Sequence, residues 1–228
     1  MPPRPSRNLD RALLAAGRAL FPARGCSSLS IREVAEAAGV NLGMFHYHFK
    51  SREAYLRALL QSIYEEMYSQ LSFEADEKLG PLEALRHALR FMGRFVRANR
   101  PFLTRVLGDG ACGDPIAVEF MRNNFPRHLG LITRLIEAGQ AQGLVRPMPA
   151  PQVMGFCAGS LAMPILVGGA VADSGALGPA GSKRITEALL SDGALDQRIE
   201  LALAAISTPH SPGAKAKKPR ARTPRSKQ

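Results

Sequence analysis

The sequence predicts an all-α protein, on two observations. Apolar residues recur every three or four positions along most of the 228 residues, and no segment of strand length alternates apolar with polar residues. Hydrophobic residues make up 46% of the chain and charged residues 21%. This is enough apolar material to close a core, so composition excludes a wholly disordered chain.

The net charge is strongly basic and unevenly distributed. Lys and Arg number 30 against 19 Asp and Glu, a formal net charge of +11. Seven of the cations lie beyond Ser207, in a stretch without an acidic residue. Such a balance favours polyanionic partners, nucleic acid first. The Pro-, Lys- and Arg-rich residues 208–228 predict a disordered basic tail.

Cysteine usage and the N-terminus indicate a cytoplasmic protein. Cys26, Cys112 and Cys157 are too scattered for a disulfide framework or a zinc site with close ligand pairs, which points to a reducing compartment. The first ten residues lack the apolar run of a signal peptide. We therefore expect a cytoplasmic location, associated with the nucleoid.

An uncharged run of 20 residues, 153–172, has the length of a membrane helix. Gly155, Gly159 and Pro164 interrupt it, and no cluster of Lys or Arg flanks it to orient it in a bilayer. We interpret it as a buried helix or as a helix packed against a second subunit. No membrane partner is expected.

The first helix is predicted from Leu9 to Phe21, after a basic, Pro-rich arm at residues 1–8 that we expect to be disordered. Ser30 followed three residues later by Glu33 has the spacing of a capping box, so a second helix should begin at Ile31. The glycine at position 39 is expected to end it after two turns.

Asn41 is a good N-cap for a third short helix, which should run to Phe49. With Phe45 at 0° on a helical wheel, Phe49 lies at about 40° and the buried face centres near about 20°, so Gly43 at about 160° and Tyr47 at about 200° point outward. Two short helices around a glycine-containing turn are the local geometry of a helix-turn-helix. An outward glycine admits a phosphate backbone, and an outward phenol donates a hydrogen bond to it.

This segment resembles the DNA-binding domain of the TetR family of bacterial transcription regulators from about Leu9 to Leu60. The resemblance rests on Leu20-Phe21, Arg24-Gly25, the run from Ser30 to Val40, Gly43, and the run from Tyr47 to Glu53. It implies that the third helix enters the major groove and that residues just past it touch phosphates.

The candidate DNA contacts combine the outward face with the positions implied by the resemblance. The family usually carries Lys at Leu42 and Thr at Met44, and here Met44 offers an apolar contact for thymine methyl groups. Lys50 and Arg52 bring cations beside the same surface. The full candidate set is Ser30, Asn41, Leu42, Gly43, Met44, His46, Tyr47, His48, Lys50 and Arg52.

Helical spacing continues through the rest of the chain. Ser51 should cap a fourth helix into the low seventies, and further apolar stripes follow to Ile206, with a bend at Pro126 and a loop over 175–181. This organisation predicts a helix-turn-helix domain at 9–54 and a larger helical domain at 55–207. The resemblance implies that the second domain dimerises and holds a small ligand.

Soft apolar residues in this second domain suit a pocket for a small hydrophobic effector, although at helical spacing they also suit a core. The candidate effector contacts are Phe91, Met92, Phe95, Phe102, Met121, Phe125, His128, Met154, Phe156 and Met163.

A homodimer is expected through the C-terminal helices. The Gly- and Ala-rich segment 155–166 and the stripe Leu195, Ile199, Leu203 and Ile206 should form a four-helix interface. Two recognition helices related by a two-fold axis require a palindromic double-stranded operator, with half-site centres roughly 34 to 36 Å apart.

An enzyme is not expected, nor a metal or a cofactor. His46 and His48 lie two residues apart on a helix, about 200° around it, and cannot share one ion. The Gly-rich stretch before Lys183 lacks the preceding strand of a phosphate-binding loop.

The sequence therefore predicts a sequence-specific transcriptional regulator, a repressor released from its operator by a small hydrophobic ligand. The alternative is a nucleoid-type protein that coats DNA through its basic tail, whose composition resembles linker-histone-like repeats. A capped reading helix is unnecessary for bulk coating, which favours regulation.

Overall fold

The computed structural model describes residues 6–75 and 79–209. These residues form helices joined by short turns, with an isolated antiparallel bridge between Val145 and Ser207 and no strand in the described ranges. The all-α prediction is confirmed. The predicted tail lies outside the described residues from position 210 onward, as does the predicted arm up to position 5.

The N-terminal helices follow the predicted pattern of caps. Ser30 Oγ accepts a hydrogen bond from the backbone N–H of Arg32, and the Glu33 carboxylate accepts one from the N–H of Ser30. Asn41 Oδ1 accepts one from Met44 N at 2.8 Å. The helices are α1 (Ser6–Ser28), α2 (Ile31–Ala37), α3 (Leu42–His48) and α4 (Arg52–Glu74).

Helix α1 is longer than predicted at both ends, and it begins at Ser6, within the arm that was expected to be disordered over residues 1–8. It continues past Pro22, which the sequence pattern marked as the end, and kinks at Gly25, whose φ is +67°. The Arg105 side chain of a later helix occupies the space beside Gly25, since a Cβ there would lie 2.0 Å from Arg105 Nε. The contact with Arg105 therefore stabilises the last part of α1, although Pro22 and Gly25 predict that the helix ends before it.

The larger helical unit contains two proline-bearing helices that remain continuous, with Pro126 and Pro164 inside them. A short helix begins at Gly178 where we predicted a loop, because Pro179 favours the first turn of a helix. A π-helical turn, Thr186–Leu190, follows it. The helices are α5 (Pro81–Ala98), α6 (Arg100–Ala111), α7 (Pro115–Ala141), α8 (Ala150–Asp173), α9 (Gly178–Ile185) and α10 (Asp192–Ile206).

Two hydrophobic cores share helix α4. Its first half, including Leu56 and Leu59, packs with α1, α2, α3 and α6, whereas Met67 and Leu71 in its second half pack with α5, α7, α8 and α10. Phe102 of α6 belongs to the first core. Helices α4 and α6, together with Ile116 and Ala117 at the start of α7, therefore carry contacts between the N-terminal helices and the rest of the chain.

Among the described helices, α8 is long and apolar enough to cross a membrane by length and composition, with a mean hydropathy of 1.7 in its most apolar window. A third of that window is buried within the chain. Core helices of soluble proteins meet the same criterion, so this is weak evidence for a membrane span.

Candidate nucleic-acid interface and adjoining cavity

Helix α3 is held in place by a cluster of aromatic rings. A helix of seven residues is not stable on its own, so its position depends on tertiary packing. Phe45 is fully buried, with its ring centroid 5.1 Å from that of Tyr55 and 5.7 Å from that of Phe49. The Tyr55 hydroxyl in turn donates to the Leu13 carbonyl of α1 at 2.7 Å. The cluster fixes which face of α3 points outward.

The outward face of α3 agrees with the predicted orientation. Tyr47 is 76% exposed, and Gly43, His46 and Lys50 are also exposed. A Cβ at Gly43 would meet nothing nearer than Asn41 Oδ1 at 3.3 Å, so the surface there is open to a close partner. Four candidate contacts therefore share one accessible surface.

The other candidates lie at the edges of that surface. Leu42 is 38% exposed and Met44 is partly buried. The side chains of Ser30 and Asn41 are engaged as helix caps.

His48 and Arg52 are placed differently from the prediction. The side chain of His48 is 7% exposed; its Nδ1 contacts the Asp10 carboxylate of α1, and its Nε2 is buried without a partner among the described residues. Arg52 Nε donates to the Leu29 carbonyl at 2.8 Å, and its Nη2 donates to the Cys26 carbonyl. Both side chains brace the helices behind α3, and the sequence gives no signal for such tertiary partners.

A second set of contacts links α6 to the end of α1, and sequence reasoning missed it. The Cys26 N–H donates to Asp109 Oδ2 at 2.7 Å, and Asp109 Oδ1 lies 2.9 Å from Arg105 Nε. Arg105 Nη2 also donates to the Arg24 carbonyl at 3.0 Å. Burial raises the pKa of the Cys26 thiol, and the nearby Asp114 and Asp109 carboxylates add to the effect. The available signal was Arg105 and Asp109, four residues apart on α6 with only Val, Leu and Gly between them.

A cavity of about 300 Å³ lies between α4, α5, α6, α7 and α8. Its lining is almost entirely apolar and includes no Asp, Glu, Lys or Arg. The predicted effector residues that line it are Met92, Phe95, Phe102, Phe125, His128 and Met154.

Four predicted effector residues lie elsewhere. Phe91 borders a surface depression beside Phe73, and Met121 packs against Gly110 in the space a Cβ would occupy. Phe156 and Met163, 49% and 55% exposed, lie on the outer face of α8. Helical spacing identified the apolar positions of these helices without showing which side faces the cavity.

Several lining residues were missed, including Tyr64, Phe120 and Cys157. Tyr64 was detectable, because it follows Leu60 by four residues on an apolar stripe of α4.

Two polar side chains meet in the cavity wall. The Tyr64 hydroxyl donates to the Asn124 carbonyl at 2.6 Å and lies 3.3 Å from His128 Nδ1. Burial lowers the pKa of His128 to about 4 and raises that of Tyr64 to about 12. Both groups are therefore uncharged at neutral pH.

The outer faces of α8 and α10 form an exposed apolar surface. Phe156, Met163 and Val167 are each about half exposed on α8, and Leu201 on α10 is 70% exposed. The stripe Leu195, Ile199, Leu203 and Ile206, which we predicted at an interface, is buried in the chain's own core, so that prediction was wrong. The helical period was right, and the assigned face was not.

Within the described residues, no group of three His, Cys, Asp or Glu side chains is arranged to hold a metal ion.

Comparison with known proteins identifies the N-terminal part of the chain. Residues 13–59 match the family model described as bacterial regulatory proteins, tetR family. A stretch of 84 residues is 29% identical to the HTH-type transcriptional repressor KstR2 of Mycolicibacterium smegmatis, covering 37% of this chain and 40% of that protein. The match thus spans less than half of the length of this curated relative.

Solved structures extend the similarity to nearly the whole chain. The ketosteroid transcriptional regulator KstR2 of Mycobacterium tuberculosis superposes with a TM-score of 0.63 at 17% identity, covering 91% of this chain and 98% of that one. The TetR family regulator PfmR from Thermus thermophilus gives 0.62 at 18% identity, covering 84% and 97%. At these identities the likeness concerns the fold. Residues 13–59 are therefore similar to the DNA-binding domain of the tetR family, and the described chain shares the fold of the solved TetR-family regulators.

Proposed function

We propose that this chain is a cytoplasmic DNA-binding transcriptional regulator, a homodimeric repressor released from its operator by a small apolar effector. The observation that carries the proposal is the division of α3 into two faces. Phe45 anchors the helix in the core, while Gly43 and Tyr47 form an open outer surface. This arrangement suits a helix that enters a major groove.

The outer surface combines three kinds of DNA contact. Lys50 supplies a cation for phosphates, and Tyr47 supplies a hydroxyl donor. His46 and Met44 are placed beside them for base edges and thymine methyl groups. His48 and Arg52 contribute by holding α3 and α4 against α1 and α2.

The exposed apolar faces of α8 and α10 support a dimer. Phe156, Met163 and Val167 follow one another at spacings of seven and four residues along one side of α8, the pattern of a helix that packs against a neighbour. An isologous pairing of α8 and α10 would bury them in a four-helix interface. Its two-fold axis requires a palindromic operator with half-sites about 34 to 36 Å apart.

The cavity supports control by an apolar effector. Phe102 lines the cavity and also packs against Phe21 of α1, with ring centroids 4.7 Å apart and the rings tilted by 37°. The same helix α6 carries Asp109, which holds the Cys26 N–H. An occupant that shifts α6 relative to α4 would therefore displace the junction that positions α2 and α3.

Selection from a random double-stranded DNA pool tests the proposal. We expect enrichment of a palindromic sequence, bound at least about a thousandfold more tightly than a shuffled control at physiological salt. Enrichment of no sequence would instead favour the nucleoid-type alternative.

Deletion of residues 210–228 separates the reading helix from the basic tail. The truncated chain should bind all DNA more weakly and lose about 0.9 from the slope of log K against log salt for each lost phosphate contact. Its preference for the selected site should remain. A truncated chain without that preference would contradict the proposed role of α3.

A further inference from the structure

The protonation of the cavity histidine can be deduced from its neighbours. The Tyr64 hydroxyl oxygen and the backbone carbonyl oxygen of Asn124 are 2.6 Å apart. A carbonyl oxygen has no hydrogen to donate, so the single phenolic hydrogen lies between these two atoms. The Tyr64 oxygen therefore presents only lone pairs to any other neighbour.

His128 Nδ1 is that other neighbour, 3.3 Å from the Tyr64 oxygen. Two lone pairs would repel at this distance, so Nδ1 must carry the hydrogen and donate it. The ring is uncharged at neutral pH, because burial lowers the pKa of His128 to about 4. A neutral imidazole has one N–H, which leaves Nε2 as a hydrogen-bond acceptor.

Nε2 of His128 is available to a ligand. Within the described part of the chain no hydrogen bond reaches this atom, and it stays accessible to a water-sized group, unlike the buried Nε2 of His48. His128 itself lines the cavity beside Phe125. The cavity thus offers an acceptor within an otherwise apolar wall.

The lining also excludes ionic ligands. It contains no Arg or Lys to pair with a carboxylate or phosphate, and no Asp or Glu to pair with an amine. The nearby Arg127 is engaged with Glu65 at 2.5 Å and lies over the Tyr68 ring, and it does not line the cavity. A charged group buried in this cavity would lose its hydration without a compensating partner.

We propose that the effector is an uncharged, apolar alcohol or phenol whose hydroxyl donates a hydrogen bond to Nε2 of His128. This inference rests on the proposed function only in taking the cavity as the effector site. It specifies the chemistry of the occupant: one donor, no formal charge and an apolar body in contact with Met92, Phe102 and Met154.

Three probes of similar size test each part of the inference by calorimetry on the full chain. 2-Naphthol carries a hydroxyl donor, 2-methylnaphthalene has none, and 2-naphthoate is an anion. We expect both neutral probes to bind and the anion to show no measurable binding. Binding of 2-naphthoate as tight as that of 2-naphthol would overturn the requirement for an uncharged ligand.

The ratio of naphthol to methylnaphthalene affinity isolates the hydrogen bond, since both probes bury nearly the same apolar surface. His128→Phe keeps a ring of similar volume but has no acceptor, and we expect this ratio to fall about tenfold. His128→Leu serves as a second variant if the Phe side chain disturbs folding. A ratio unchanged in both variants would overturn the role of Nε2.

Two control variants keep the acceptor. Tyr64→Phe removes the phenol yet leaves the Asn124 carbonyl as an acceptor for Nδ1–H, so the ratio should persist. Phe91→Leu changes a residue outside the cavity and should alter neither affinity. If the ratio falls in Tyr64→Phe and persists in His128→Phe, the naphthol hydroxyl donates to Tyr64 and not to His128, which would contradict the inference.

The outcomes also separate this inference from the proposed function. If the neutral probes bind with the expected ratio but never weaken binding to the selected DNA, effector-controlled release is wrong and the chemistry of the cavity stands. If binding releases DNA with no dependence on His128, only the present inference fails. If neither neutral probe binds, both the inference about His128 and effector control through this cavity are wrong.

Discussion

Helices α3 and α8 both expose large hydrophobic side chains, but in different surroundings. On α3, the exposed Tyr47 stands between a glycine and polar or basic neighbours, while the other face holds the buried Phe45. On α8, the exposed Met163 and Val167 continue an apolar surface around a helix whose inner face is also apolar. The neighbours of an exposed hydrophobic residue, more than its exposure, indicate the chemistry of the partner.

The two helices also differ in what holds them. Helix α3 has seven residues and depends on aromatic packing against α4 for its position. Helix α8 has 24 residues, a length at which its own hydrogen bonds and core contacts support it. A change on the buried face of α3 should therefore affect the whole N-terminal unit, whereas a change on the outer face of α8 should affect association alone.

The largest expected effect is on the buried face of α3. Phe45→Ala should lower the free energy of unfolding by about 3 to 5 kcal/mol, because a fully buried ring leaves a cavity between α3 and α4. Chemical denaturation followed by circular dichroism measures it. Tyr47→Ala is the matched control and should stay within about 0.5 kcal/mol. Equal losses in the two variants would contradict the assignment of faces.

The assignment of faces on α3 shows which features of this region could be predicted from the sequence. The faces of α3 were predictable, because caps at Ser30 and Asn41 fixed where the short helices begin and the helical period then fixed their orientation. The roles of His48 and Arg52 were not predictable. Their partners, Asp10 and two backbone carbonyls, are distant in sequence or carry no side-chain signal.

In the larger unit the period was also detectable, but it gives only relative positions around a helix. The stripe from Leu195 to Ile206 has the same spacing whether it faces the chain's own core or a second subunit. Contacts with α5 and α8 decide between these options, and they form only in the folded chain. The same reason explains why Phe91 and Met121 were misplaced relative to the cavity.

The second prediction concerns the cavity that the inner face of α8 borders, where α7 contributes His128. The pKa of His128 is lowered from 6.5 to about 4 in the folded chain, so the unfolded chain binds a proton more readily. Above about pH 6.5 His128 is neutral in both states and costs the fold nothing. As the pH falls toward 4, protonation of the unfolded chain should lower the free energy of unfolding by up to about 3 kcal/mol.

Thermal unfolding between pH 7 and pH 4 measures this effect. His128→Phe should remove part of the acid-induced loss, and Phe91→Leu, which retains His128, should keep it. If wild type and His128→Phe lose stability in parallel, the cavity histidine is not the group responsible.

The third prediction tests the outer face of α8. Val167→Asp should raise the dimer dissociation constant at least about thirtyfold, or about 2 kcal/mol, because the two-fold axis would bring two desolvated carboxylates into one apolar interface. Phe73→Asp adds the same charge at an exposed hydrophobic position on α4 and should leave association unchanged. Sedimentation equilibrium at micromolar concentration measures both, and a dimer that persists in Val167→Asp would exclude this face.

The smallest expected effect is on the outer face of α3. Tyr47→Phe removes one hydroxyl from a side chain that is 76% exposed, so the stability of the fold should not change. Affinity for the selected operator should fall about tenfold, roughly 1.4 kcal/mol, which is the range for a hydrogen bond to a charged phosphate. The loss should be equal for sequences that differ only in their bases, since a phosphate contact carries no base information.

Tyr68→Phe is the matched control, because it removes the same hydroxyl from α4 at a site remote from α3. It should leave operator affinity unchanged in the same titration. If Tyr68→Phe weakens binding while Tyr47→Phe does not, the outer face of α3 is not the DNA-binding surface. In that case the polar neighbours of Tyr47 would indicate only a solvated surface and not a nucleic-acid contact. The difference between α3 and α8 would then carry no information about function.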